Sequence, residues 1–449
     1  MRFVLFYHSL VSDWNHGTAH FLRGIATELM TRGHIVDIYE SRDAAGRQSL
    51  IAEHGPEAIN AYKVPYPMLT STVYDVHSFA RPGSSALNKA LKDADVVIVH
   101  EWNDPELIRA IGEHHARHTS YQLLFHDTHH RSVTYGRTRS ACDLNHYDGV
   151  LAFGNVVRDL YLTRGWSKHA WTWHEAADTR VFKPLRTLSS QHAYNNLFSS
   201  FPNGTNSVGK STGRNSNDVV FLGNWSDDER TAEMREFLFE PIRTLRLRAT
   251  TYGARYPQNI QEEMARAGIN YAGYVPNFRV PQVYGRFKFT VHVPRRPYGR
   301  LLPGIPTIRI FEALACGIPL ISAPWSDVEH LFLPGADFLM ARTGTEMKAH
   351  MHFLMTQPKA RKQLASHGRQ TILKRHTCVH RVDELLDICA ELRVTHGGFF
   401  SMPVVPLQPA KALDRYKVRT IAAKDAEDDF PDTINDERER ELEPVRILK

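Results

Sequence analysis

Short apolar runs recur along the chain. Each is followed by a loop and then by apolar positions at helical spacing. RFVLFY (residues 2–7) is rich in strand formers. After the loop 8–17, Phe21, Leu22, Ile25, Ala26 and Leu29 fall at helical spacing, and Gly33 stops the pattern. HIVDIYE follows as a second strand. Strand, loop, helix and strand in that order open a parallel α/β sheet, because parallel neighbours need a crossover longer than a hairpin turn. The unit recurs with a strand in 94–102, a helix over 104–117, strands at 121–127 and 149–154, and a helix around 156–163.

A second series begins with a strand at 218–225. The pattern then predicts a helix over 228–240, a strand at 248–256, a helix over 259–267, a strand at 269–275 and a short helix over 280–286. A strand at 289–295, a helix in PTIRIFEALACG and a strand at 318–324 complete it. The chain thus reads as two α/β halves, each long enough for its own sheet. We place an N-terminal Rossmann-like domain over 1–186 and a C-terminal one over 218–396. Between them, 187–217 is rich in Ser, Asn and Gly and reads as a flexible linker or insertion. The charged stretch 397–449 reads as a disordered tail.

Composition changes this picture little. At 449 residues the chain is too long for one hydrophobic core. A net charge of +6 suits an anionic ligand such as a nucleotide, and no basic run has the length of a nucleic-acid arm. No transmembrane segment is expected, since no apolar run is long enough, and the N-terminus does not read as a secretory signal. The four cysteines form no C-x-x-C, so reduced thiols, a cytoplasmic location and no metal site are expected.

Two motifs fail on their context. GTNSVGKS (204–211) matches the phosphate-loop pattern of nucleoside triphosphatases. A working loop needs a buried strand before it and a helix after it. Here the flanks are YNNLFSSFPN and TGRNSND. Asp93-Ala94-Asp95 has the form of a metal-binding D-x-D, but it precedes a strand instead of following one.

The chemistry concentrates elsewhere. In PGIPTIRIFEALACGIPLISAP (303–324), Pro306 suits a first helical turn and Gly317 a stop. The free N–H groups around Thr307 make an anion site, and Glu312 farther along can accept hydrogen bonds from a ribose. The competing reading is an ordinary buried helix with Glu312 partly exposed. FHDTHHR (125–131) stands at the end of a strand, the edge that faces the crevice of an open α/β sheet. An imidazole and a carboxylate there can handle the proton of an acceptor hydroxyl. Alternatively, His126, His129 and His130 ligate a metal, or the cluster merely ends a strand.

FEALACGIPLIS resembles the donor-binding segment of GT-B glycosyltransferases of the family-4/family-1 type, with its EA-x-A-x-G-x-P-x-I signature. The run from 304 to 325, with HLFLPG (330–335) and RHTCVHRVDELL (375–386), is similar to CgeB-like (spore maturation protein-like) glycosyltransferases. The resemblance covers roughly residues 1–390. It implies two Rossmann-like domains facing across a cleft, with a nucleotide-sugar on the second and the acceptor on the first. The activity implied is hexosyl transfer from a nucleotide-diphosphate sugar to a hydroxyl or amine of a glycan, lipid, protein or small molecule. Neither a metal nor a cofactor beyond that co-substrate is implied, and nucleic acid is not expected as a partner. A nucleotide-sugar epimerase and a non-catalytic binding protein are the alternatives on the same fold.

The resemblance also implies roles. Glu312 matches the ribose-binding glutamate, and Thr307 and Ile308 the diphosphate contacts. Gly223 and Asn224 fall in the donor-facing loop, and Tyr252 and Gly253 near the base. Arg295 and Arg296 are placed to pair with phosphate. His126 and Asp127 match a catalytic His-Asp pair. Asn15, His16 and Gly17 resemble the acceptor loop, with His16 a second candidate base, and Glu175 lines the acceptor side. One departure is Gly304, where many retaining members carry a glutamate eight positions before Glu312. The stereochemical outcome therefore stays open.

Overall fold

The computed structural model describes residues 1–7, 10–11, 17–134, 143–185, 217–226 and 230–396. The phosphate-loop pattern, nearly all of the predicted insertion, the tail, Asn15 and His16 lie outside the described residues. Residues Met1–Gly398 form one unit.

The described strands make two sheets. The first contains β1 (Arg2–Phe6), β2 (Ile35–Ser41), β3 (Thr72–Tyr74), β4 (Val96–His100), β5 (Gln122–Asp127), β6 (Gly149–Ala152) and β7 (Ala170–Thr172). Their spatial order is β3-β2-β1-β4-β5-β6-β7. The second contains β8 (Asn217–Leu222), β9 (Ala249–Tyr252), β10 (Ile269–Tyr271), β11 (Phe287–His292), β12 (Leu320–Ser322) and β13 (Leu339–Met340). Its order is β10-β9-β8-β11-β12-β13. All pairs are parallel. Phe3 lies opposite Val36 on one side and Val96 on the other, and Val219 lies opposite Ala249 and Phe289. Parallel strands are covered by helices on both faces, so β4 and β5 are buried at every position. Strand order reverses between β1 and β4, and again between β8 and β11. At such points the loops leaving the carboxyl ends diverge and open a crevice.

Several elements depart from the sequence expectation. The helix expected over 228–240 is a broken one: Thr231–Met234, a π-helical turn Arg235–Phe239, and Glu240–Leu245. A short helix Arg296–Arg300 follows β11, and the helix expected from Pro306 begins at Ile308, so Pro306 precedes its first turn. The stretch between β2 and β4, read without elements, holds edge strand β3 and the helices Ala45–His54, Val76–Ala80 and Ser85–Leu91. Beyond β13 come Gly344–Thr356, Pro358–Arg375 and Cys378–His396.

The last of these helices returns to the first half. Gln122 Nε2 donates to Cys389 O at 2.7 Å, and Trp173 Nε1 donates to Arg381 O at 2.8 Å. Ala177 pairs with Thr377 in an isolated bridge. One apolar core consequently runs from Leu22, Ile25 and Trp173 to Phe311, Leu314 and Leu385. This continuity holds the carboxyl ends of the two sheets close together. Among the described residues, no helix is long and apolar enough to cross a membrane.

Candidate active site

The ends of β8 and β9 lock into each other. Gly223 N donates to Tyr252 O at 3.0 Å, Ala254 N to Asn224 Oδ1 at 2.9 Å, and Tyr256 Oη to Gly223 O at 2.8 Å. Gly253 has a φ of +158°, and a Cβ there would lie 2.0 Å from Gly223 O, far inside van der Waals contact. Gly223, Asn224, Tyr252 and Gly253 therefore converge at the end of the second sheet. The Tyr252 ring is buried, and burial raises its phenol. Arg230 joins them. Its Nη1 donates to Val293 O at 2.9 Å and its Nη2 to Asn224 O, so one guanidinium spans the ends of β8 and β11 at the crevice. Sequence reading missed it, because residue 230 fell inside the helix expected over 228–240.

The helix Ile308–Ala315 starts without a side-chain cap. Thr307 Oγ1 instead lies 2.9 Å from His292 Nε2, and His292 Nδ1 lies 2.8 Å from Ser322 Oγ. Ser322 donates its own proton to Ala323 O. Burial first, then Arg230 and Arg309, lower His292 to about 3, so the ring is neutral. The proton order follows: His292 Nδ1–H donates to Ser322, and the Thr307 hydroxyl donates into Nε2. The Thr307 hydroxyl is thus engaged by His292. In this arrangement the first-turn N–H groups of the helix, Ile308 included, have no side-chain cap.

Glu312 is fully buried, not partly exposed. Its Oε1 accepts from Asn277 Nδ2 at 2.6 Å and lies 2.9 Å from His20 Nδ1, while Oε2 accepts from Arg309 Nη1. Burial pushes its carboxyl up. Arg309's charge and the bonds from His20 and Asn277 outweigh that and hold it below the ordinary value. A ribose would have to share or displace one of these donors. Arg295 stands beside His130 and contributes, after burial, to lowering that imidazole to about 4. Arg296 is committed elsewhere, in a two-point pair with Glu233 at 2.7 and 3.1 Å, which corrects its assignment to phosphate.

The N-terminal side needs a larger correction. His126 is fully buried with its ring among Phe21, His100 and Trp173, and neither ring nitrogen has a partner. Burial lowers it to about 3. A base must reach its substrate, and this ring faces the core. Asp127 accepts from Tyr161 Oη at 3.0 Å and from His129 N at 3.2 Å, so it ties the end of β5 to the helix Asn155–Thr163 instead of orienting His126. His129 and His130 lie ring to ring at 4.1 Å, away from the His126 environment, and Tyr298 of the second half packs on His130. Among the described residues, no cluster of three metal-ligating side chains forms.

The two halves touch through glycines. A Cβ on Gly17 would stand 2.8 Å from Ile308 Cγ2, and one on Gly154 would strike Ile305. Gly17 thus stands against the start of the helix Ile308–Ala315. We expect Gly17→Val to weaken nucleotide-sugar binding about tenfold by calorimetry, since overpacking costs about 1–3 kcal/mol. At Gly304, φ is +88° and a Cβ would meet Glu329 Cγ at 2.5 Å. Glu329 fills that space and pins the halves: Oε1 accepts from Asn155 N at 2.8 Å, and Oε2 lies 2.9 Å from His174 Nε2. Glu175 is buried nearby, within electrostatic reach of Glu312 and Arg309.

The chain is similar to several solved structures. Anabaena Alr3699/HepE, in complex with UDP and glucose, is 13% identical with a TM-score of 0.57, covering 87% of this chain and 99% of its own. The fold is GT-B. A glycosyltransferase from Rickettsia africae is 12% identical with a TM-score of 0.57, covering 88% of this chain and 98% of its own. An alpha-glucosyltransferase in complex with UDP is 10% identical with a TM-score of 0.59, over 87% of this chain and 100% of its own. Residues 230–387 match the glycosyl transferase-like family model, a span that holds the second half of the GT-B frame from Arg230 onward. No curated protein matches the sequence at a significant level.

Proposed function

We propose that this GT-B chain is a glycosyltransferase that moves a sugar from a nucleoside-diphosphate donor to a hydroxyl or amine acceptor. The uncapped N-terminus of Ile308–Ala315, facing the first half across Gly17, carries the reading. Its amides point at the position where charge develops on a departing diphosphate, and a helix N-terminus favours that charge. Arg230, Arg295 and Arg309 add positive charge around the same crevice. Gly223, Asn224, Tyr252 and Gly253 form the floor against which the nucleoside lies. The acceptor approaches from the β1 and β5 ends of the first sheet. The run 304–325 with HLFLPG places the chain, in our reading, nearest the CgeB-like members.

Calorimetry with UDP-, GDP- and dTDP-glucose tests this. The UDP complexes of the similar proteins make UDP-glucose the first donor to try. Micromolar binding of one donor is expected; binding of none by the folded protein removes the reading. Because protein cations and amides meet the diphosphate, we propose transfer without a metal ion. The rate of UDP release should then be unchanged in excess EDTA, and a loss restored by a divalent cation would overturn that part.

A further inference from the structure

Thr307 occupies the N-cap of the helix Ile308–Ala315 in an extended conformation, φ −75° and ψ 156°, yet its side chain makes no bond to the helix. A threonine at that position ordinarily accepts from a first-turn amide. Thr343 does so. It caps Gly344–Thr356 from an extended conformation, with Oγ1 accepting from Glu346 N at 3.2 Å. At Thr307 the hydroxyl is instead taken by an imidazole from another element. His292, the last residue of β11, has Nε2 2.9 Å from Thr307 Oγ1. The ring is buried and held from its other side, where Nδ1 lies 2.8 Å from Ser322 Oγ. His292 and Ser322 are also partners in the β11–β12 register, and Ala323 N donates to His292 O at 2.8 Å.

The place of this contact in the fold gives it a consequence for the ligand. β11 pairs with β8, where strand order reverses and the crevice opens. The residue after His292, Val293, accepts from Arg230 Nη1 through its carbonyl at 2.9 Å. One strand end therefore holds a guanidinium and, through His292, the start of the helix. We propose that His292 is a positioning residue for the donor: it holds the Thr307 hydroxyl away from the helix, so that the first-turn amides meet the diphosphate of a nucleotide-sugar instead of a cap. This rests on the glycosyl-transfer reading above. His292 touches no ligand and acts through Thr307 alone. The neutral ring presents Nε2 as an acceptor, and the hydroxyl proton is committed to it. Without that acceptor, Thr307 rotates about χ1 and caps its own helix as Thr343 does, and a diphosphate then has to displace the cap.

The test measures UDP-glucose binding to the full chain by calorimetry, with thermal melting to show that each variant folds. His292→Asn keeps a polar group beside Ser322 and is too short to reach Thr307. It is expected to weaken binding roughly five- to tenfold, the factor that a typical N-cap bond contributes. His292→Gln returns an acceptor near the position of Nε2 and is expected to recover most of that loss. The decisive variant combines His292→Asn with Thr307→Val. It deletes the hydroxyl that would cap the helix and is expected to bring affinity back to within about threefold of wild type. Damage to the packing of the strand end is not repaired by deleting a second polar group.

Undiminished affinity in His292→Asn, in a wild type that binds UDP-glucose, overturns the proposal alone. A loss that Thr307→Val leaves in place or deepens overturns it too, because the pair then serves only to hold the backbone. His292→Leu fills the same space without an acceptor and carries the same expectation should the asparagine variant not fold. If neither folds, the imidazole serves the core and the proposal falls. Failure of the wild type to bind any nucleotide-sugar overturns the glycosyl-transfer reading and this proposal with it.

Discussion

Glu312→Ala is expected to destabilise the protein by about 3–5 kcal/mol, the usual cost of removing one member of a buried charged network. It is also expected to abolish measurable nucleotide-sugar binding. The carboxylate is fully buried and engages His20 from the first half together with Asn277 and Arg309 from the second. Deleting it leaves the Arg309 guanidinium and the Asn277 amide in the interior without their acceptor. The helix that presents its N-terminus to the donor loses its tie to His20 at the same time. Glu312→Gln keeps the volume and one acceptor oxygen, so it should lose less than half as much. Because the folded carboxyl is held below its ordinary value, the stabilisation is present above about pH 4.5 and is lost as pH falls further. Urea unfolding at pH 7 and pH 4 reads both points. An alanine variant as stable as wild type would mean that the network is solvent-filled and Glu312 serves the ligand alone.

Gly253→Ala is expected to remove donor binding at a comparable energetic cost. The added methyl meets a backbone carbonyl, Gly223 O, which cannot swing aside as a side chain can. The ends of β8 and β9 are held by reciprocal bonds through Tyr252, Asn224 and Ala254, so relieving the clash moves the loop that forms the crevice floor. We expect at least about 3 kcal/mol of destabilisation from such overpacking, with UDP-glucose affinity falling beyond detection by calorimetry. Gly33→Ala is the control. That residue also has a positive φ, +82°, but nothing lies within 4 Å of its Cβ position. It should cost only about 1 kcal/mol through backbone strain and leave affinity alone. Equal effects at the two positions would show that backbone strain, not the close approach, governs Gly253.

The alternation of apolar runs with helical spacing was enough to read two parallel sheets. Strands such as β1, β4, β5 and β8 are covered on both faces and so carry near-continuous apolar runs. Edge strands β3, β7 and β13 are two or three residues long, exist through pairing with a neighbour, and leave no such run. The donor-side helix was legible because Gly317 marks its end and its apolar face repeats at helical spacing. Other features depended on tertiary structure. His126 and Asp127 are successive strand residues whose side chains point to opposite faces, and a sequence does not say which face meets the core. The partners of Glu312 come from positions 20, 277 and 309, and Glu329 reaches the space beside Gly304 from a different loop. Arg230 bridges the ends of two strands that are neighbours only because the sheet reverses its order there. Local periodicity determines which segments become strands and helices, since it is a property of adjacent residues. Which helix start stays uncapped, and which imidazole is lost to the core, depends on groups brought together across the chain by packing.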